Sequence, residues 1–155
     1  MMREFINYQS PIGLIKIAIE DESVVKLIIA NNDETASEPT SRFAKKVITE
    51  LNDYFEGKIH SFSFPIKLEG TDFQKRVWSE LQKIPYGETI SYQELAKRSG
   101  NPKAYRAAGT ANGKNPVCIV VPCHRVIHAD GGIGGYAYGT EVKERLLNLE
   151  KSGKL

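Results

Sequence analysis

The sequence predicts an α+β fold: an N-terminal antiparallel sheet with one helix, then a mainly helical unit carrying a helix-turn-helix and a candidate active-site loop. Three observations lead there. Short β-rich runs separated by turns fill the first third of the chain, legible helix caps begin after Gly70, and the charge balance reverses at about the same place. With 155 residues, 41% hydrophobic and 26% charged, the chain can bury a core as one domain or two small ones.

Taken in order, REFINYQ, IGLIKIAIE and VVKLIIA are β-rich runs of β-branched, aromatic and other apolar residues and are divided by Ser10-Pro11 and by Asp21-Glu22-Ser23, the pattern of an antiparallel meander. SRFAKKVITELNDYFEG then places Phe43, Val47, Leu51 and Tyr54/Phe55 at helical spacing, with Gly57 as the stop. HSFSFPIKLEG reads as extended. The boundary falls near Glu69-Gly70 and gives two units, residues 1–68 and 69–155. Thr71 with Gln74 and Ser91 with Glu94 fit capping boxes that open DFQKRVWSELQKI, whose Phe73, Val77, Trp78, Leu81 and Ile84 share a face, and YQELAKRSG. Asn101, with Pro102 at the first helical position, marks another helix start, and Asn112-Gly113 its end. Two short helices joined by SGN have the outline of a helix-turn-helix. After Pro116 an apolar strand, VCIVV, is expected, and the last helix runs from Thr140 with Val142, Leu146, Leu147 and Leu149 inward.

The N-terminus lacks an apolar leader, and VVKLIIA, interrupted by Lys26, is too short to span a bilayer, so a cytosolic or nuclear protein is expected. Cys118 and Cys123 suggest no disulfide framework. Together with His60, His124 and His128 they are read as no zinc set, and neither a metal nor any other cofactor is expected. The net charge of +2 hides an asymmetry: residues 1–70 carry 8 basic against 11 acidic side chains, residues 71–155 carry 13 against 8. Between Glu94 and Asp130 no acidic residue occurs, while Lys97, Arg98, Lys103, Arg106, Lys114 and Arg125 do. Such a field suits a polyanion such as nucleic acid, and it equally describes a solvated basic face.

Cys123 sits between Pro122 and His124-Arg125, ahead of the glycine-rich run that begins at Gly131. Alone, such a cysteine reads as a small buried hydrophobe. Pro122, however, ends the apolar run, so the thiol stands where the chain leaves a sheet, and a neighbouring base or cation would activate it. His124 can act through a water, and His128 is the weaker base, read as a surface residue. Tyr136 and Tyr138 can wall a flat ligand that the glycines let approach, and Glu150 is either the orienting carboxylate of a Cys-His-carboxylate relay or a solvated helix end. In PKAYRAAGTAN the small residues Ala104, Ala107, Ala108, Gly109 and Ala111 leave Arg106 as the long side chain, poor equipment for reading a major groove. A narrow groove with one intruding side chain suits it better, or plain helix packing.

PCHRVI, with GNPKAYRAAGTANGKNPV, IPYGETISYQELA and GGYAYGTEVKERLLNLE around it, resembles the O6-alkylguanine-DNA alkyltransferases, suicide DNA-repair proteins, over about residues 71–151. Residues 1–66 are similar to that family's N-terminal domain in pattern. The resemblance implies that Cys123 accepts the alkyl group, that His124 takes its proton through a water, and that Glu150 holds His124. Asn115 would brace the segment leading to the site, and Tyr92 would crowd the DNA backbone and donate to N3 of the leaving guanine. Arg106 would be the finger replacing the flipped base, entering by the minor groove, among DNA contacts from Lys103, Tyr105, Ala107, Gly109 and Arg125. Tyr136 would close over the base, with the Ala137 N–H at O6 and the carbonyls of Cys123 and Val126 at the exocyclic amine. The zinc site of some members lacks its cysteines here, and Cys118 is expected to be buried and idle. The implied partner is double-stranded DNA containing O6-alkylguanine, bound by a monomer, in the cytoplasm or, in a eukaryote, the nucleus. Rival readings are an alkyltransferase-like protein, which Cys123 argues against, a helix-turn-helix regulator with Cys123 as redox sensor, and a cysteine hydrolase.

Overall fold

The computed structural model describes residues 3–30 and 35–155. Strands β1 (Arg3–Ser10), β2 (Gly13–Glu20) and β3 (Ser23–Ala30) form the predicted meander, in the order β1-β2-β3. Asp21 and Glu22 turn β2 into β3 with φ of 52° and 56°, the handedness a two-residue turn needs to follow the twist of its strands. Ile15, Ile17 and Ile19, alternate residues of β2, enter the core with Ile6 and Leu27 of the flanking strands. Helix α1 (Arg42–Phe55) packs beside β1; Ser41 caps it by accepting from the Ala44 N–H, and Gly57, at φ 76°, ends it.

The free edge of β3 is covered from two places. The Val24 N–H donates to the Pro65 carbonyl at 2.9 Å; HSFSFPIKLEG, expected to be extended, instead bends at His60, Ser61 and Phe64 and touches the sheet at a single bridge. Farther along, the Leu27 N–H donates to the Pro116 carbonyl (2.9 Å) and the Cys118 N–H to that of Leu27 (3.0 Å). An edge that would otherwise attract other chains thus becomes the seam to the rest of the molecule.

Beyond the seam come α2 (Asp72–Leu81), β4 (Ile90–Ser91), α3 (Tyr92–Arg98), α4 (Tyr105–Gly113), one 3₁₀ turn at Cys123–Arg125, β5 (Val126–Ile127) parallel to β4, and α5 (Thr140–Ser152). Thr71 and Gln74 make the full capping box. Ser91 makes half of one: its side chain accepts from the Glu94 N–H, but the Glu94 carboxylate pairs with Arg98 at 2.8 Å. Helices α3 and α4 pack together as the predicted helix-turn-helix.

Three further local expectations are corrected. Asn101 caps a turn, its Oδ1 accepting from the Lys103 N–H (3.0 Å), and α4 starts only at Tyr105. VCIVV is not a strand: after the bridge at Val117 the chain turns through Ile119 at φ 72°, because both ends of the run are clamped by one buried side chain, described below. In α5 the buried residues are Lys143, Leu146, Leu149 and Glu150, with Val142 and Leu147 only half-buried. Two charged residues take the inward face because partners wait for them there.

Candidate active site

Asn115, buried just after α4, makes the site possible. Its Nδ2 donates to the Val121 carbonyl at 2.7 Å and its Oδ1 accepts from the Val117 N–H at 3.0 Å, which folds the apolar run back on itself. The chain emerges at Pro122 and coils into the 3₁₀ turn, whose first residue is Cys123. Asn112, on α4, donates to the Cys123 carbonyl at 3.2 Å. The thiol is 4% exposed and lies in the wall of a cavity of about 400 Å³, together with Tyr92, Arg106, Gly109, Tyr136 and Ala137. Its sulfur is 3.7 Å from the Tyr136 hydroxyl. Burial pushes the thiol up from its ordinary pKa, partly offset by hydrogen bonds from Asn115 and Tyr136. The resting group is therefore a thiol whose proton must be taken by a base.

The next residue in the chain is a histidine. His124 is fully buried, and its Nε2 lies 2.7 Å from Oε2 of Glu150. Burial would raise the Glu150 pKa, but hydrogen bonds from His124 and Arg125 and the Arg125 charge overturn this and hold the carboxyl well below its ordinary range. An anionic Glu150 accepts the Nε2 proton and so fixes the tautomer in which Nδ1 carries the lone pair. Nδ1 is buried without a hydrogen bond to the described residues, and burial holds the imidazole below its ordinary pKa, in the neutral form a base requires.

Opposite the thiol, Tyr92 begins α3. Burial, then the charge of Cys123, raises its phenol. Lys143, unremarked in the sequence, reaches it from α5: Nζ donates to the carbonyls of Val126 (2.6 Å) and Gly135 (3.1 Å) and lies 3.5 Å from the Tyr92 hydroxyl. Burial lowers this amine to about 8.

The structure brings Cys123, His124, Glu150, Asn115, Tyr92, Tyr136 and Ala137 to one place. Lys103, Tyr105, Arg106 and Ala107 are exposed in and just before α4; of these Arg106 lines the cavity, with Gly109 half-buried against the Tyr92 ring. Arg125 is elsewhere than expected. It is buried, with Nε and a terminal nitrogen on Glu150 (2.7 and 2.9 Å) and its other terminal nitrogen on the Ile84 carbonyl (2.7 Å), so all three guanidinium nitrogens are engaged inside the protein. The Val126 carbonyl already receives Lys143, which leaves one lone pair for a ligand. Cys118 is wholly buried, and burial pushes its thiol well above the ordinary value. The spacings Cys118-x4-Cys123 and His124-x3-His128 are ones zinc accepts, yet the described residues hold no group of three or more metal-binding side chains, and His128 is exposed against Tyr92. No helix among the described residues is long and apolar enough to cross a membrane.

Comparison with known proteins bears on the whole chain. Residues 5–68 match the family profile described as 6-O-methylguanine DNA methyltransferase, ribonuclease-like domain, and residues 72–152 match 6-O-methylguanine DNA methyltransferase, DNA binding domain. The methylated-DNA–protein-cysteine methyltransferase of Methanosarcina acetivorans is 45% identical over 94% of this chain and 96% of its own length. The constitutive one of Bacillus subtilis is 38% identical, covering 97% and 96%. A crystal structure of Mycobacterium tuberculosis OGT in complex with DNA aligns with a TM-score of 0.88 at 42% identity, over 96% of this chain and 92% of that one.

Proposed function

Since this chain belongs to the 6-O-methylguanine DNA methyltransferase family, we propose that it repairs DNA by moving the alkyl group of O6-alkylguanine irreversibly onto the sulfur of Cys123. Alkyl transfer from DNA to a protein cysteine is its activity. The observation that singles out Cys123 is that its thiol faces the cavity while Cys118 is sealed in the core. In the transfer, sulfur attacks the alkyl carbon, the carbon–O6 bond breaks with its electron pair passing to guanine, and a thioether forms. The thiol proton passes through a water to Nδ1 of His124, held by Glu150, and Tyr92 supplies the proton that guanine takes at N3.

A base inside a duplex cannot reach this thiol, so it must be flipped out, at a cost of about a few kcal/mol. Arg106, exposed at the mouth of the cavity, fills the gap from the minor groove, and the small exposed residues of α4 let the helix backbone press close. In the pocket Tyr136 closes over the base, the Ala137 N–H meets O6, and the Cys123 and Val126 carbonyls face the exocyclic amine. Double-stranded DNA containing O6-alkylguanine is the partner, bound by a monomer that uses no metal or cofactor. Its place is the cytoplasm, or the nucleus in a eukaryote.

Intact-mass analysis after incubation with a duplex containing O6-methylguanine tests this. One methyl group per protein is expected for the native chain and for Cys118→Ala, and none for Cys123→Ala, which should still bind the lesion. Methyl label reaching Cys123→Ala protein would disprove the acceptor.

A further inference from the structure

The carboxylate behind His124 is not held by its own half of the molecule alone. Tyr54, on α1 of the sheet unit, is fully buried, and its hydroxyl donates to Oε2 of Glu150 at 2.5 Å across 96 residues of sequence. That oxygen also receives His124 Nε2 (2.7 Å) and Arg125 (2.9 Å), while Oε1 receives Arg125 Nε (2.7 Å) and the Gly87 N–H (3.3 Å). The Tyr54 ring is wedged edge-on against Tyr86, with centroids 6.2 Å apart, and tilted against Phe62 at 5.3 Å, so the hydroxyl has one direction to point. Phenylalanine would fill the same ring volume. The buried hydroxyl is accounted for by its acceptor.

We propose that Tyr54 is a positioning residue for alkyl transfer: its hydroxyl fixes Oε2 of Glu150 against His124 Nε2 and draws off part of that oxygen's negative charge, so the N-terminal unit completes the relay. This rests on the reading of Cys123, His124 and Glu150 given above. With one donor fewer, Glu150 would attract the imidazole proton more strongly, stabilise imidazolium and leave Nδ1 protonated over a wider range of pH. The other titratable or charged groups around the pair are Arg125 and Cys123 on the turn, Tyr86 after α2, and Lys143 on α5. Tyr54 itself stays a donor throughout, since burial and the Glu150 charge raise its phenol well above the ordinary value.

The test uses the full chain. Single-turnover transfer from a methylated duplex is measured against pH for the native protein and Tyr54→Phe, and the His124 ring is titrated by NMR in both. Tyr54→Phe should be about tenfold slower at neutral pH, the scale of losing one hydrogen bond to a charged group. Its acid limb and the His124 titration should both move to higher pH. Leu51→Ala, which loosens the same helix, should lower the melting temperature without moving His124. An unmoved His124 titration in folded Tyr54→Phe protein overturns the proposal whatever the rate, and so does an equal shift in Leu51→Ala. If Tyr54→Phe fails to fold, 3-fluorotyrosine at this position is a stronger donor and should move the titration down; no movement again overturns it. A native protein that left Cys123 unalkylated would refute the relay reading instead, while the His124 titrations would still decide what Tyr54 does.

Discussion

Lys143 carries the least expected chemistry for its residue type. A lysine on an amphipathic helix ordinarily faces water, yet this one is buried with Nζ bonded to two carbonyls and placed 5.7 Å over the Tyr92 ring. Gly134, at φ 76°, permits the approach: a Cβ there would meet the Tyr92 hydroxyl at 3.0 Å and Nζ at 3.4 Å. In the transfer proposed above, a cation at this point would ease release of the Tyr92 proton to the departing guanine. Burial has lowered the amine to about 8, so the charge is complete below that pH and is lost above it. Transfer should therefore fall as pH rises through about 8. Lys143→Met should be roughly 10- to 100-fold slower, the scale of one charge-assisted hydrogen bond, and should lack this alkaline limb. A pH–rate profile of the variant that kept the limb would assign it to another group.

At the scale of the element, α4 resolves an ambiguity in its own composition. Its small residues serve two surfaces. Ala108 and Ala111 are buried where the helix meets its neighbours, and the Ala111 carbonyl receives the Trp78 indole N–H at 2.9 Å. Ala107 faces outward beside Arg106, whose guanidinium lies 5.9 Å from the centre of the Tyr105 ring. Arg106→Ala should slow repair of a duplex by tenfold or more, since the unstacking of about a few kcal/mol then goes uncompensated. Reaction with free O6-benzylguanine should be nearly unchanged, because no base has to leave a stack. Equal losses on the two substrates would remove the finger role, and a change confined to the salt dependence of binding would make Arg106 a phosphate contact instead.

For the molecule as a whole, the consequence of transfer is a thioether sealed in a pocket shaped for a free thiol. Water finds no carbonyl to attack there, and cutting carbon from sulfur would need a far poorer leaving group, so product should plateau at one alkyl group per protein. Titration against excess methylated duplex checks this; sustained turnover would favour the hydrolase reading. The same group crowds a turn held by Asn112 and Asn115 and backed by a carboxylate that both halves of the molecule share. Overpacking of this kind typically destabilises by about 1–3 kcal/mol. The methylated protein should show a lower urea midpoint than the free protein, and an equal or higher one would mean that the pocket accommodates the adduct without strain.

How much of this was legible in the chain follows from the range of the forces involved. The meander, the stop at Gly57, the Thr71–Gln74 box and the start of α5 rest on hydrogen bonds and dihedral preferences spanning a few residues, so the local sequence determined them. The thiol, the histidine beside it and the carboxylate of the last helix could be named because PCHRVI and its flanking segments are themselves distinctive. Only the tertiary structure decided where the charged side chains went. Arg125 turned inward to Glu150 rather than out to a phosphate, Lys143 entered the core, Ile119 took a left-handed φ under the clamp of Asn115, and Tyr54 met Glu150 from the other unit. Burying a charge or a strained residue is favourable only when partners from distant segments arrive with it, and no short window of sequence contains those partners.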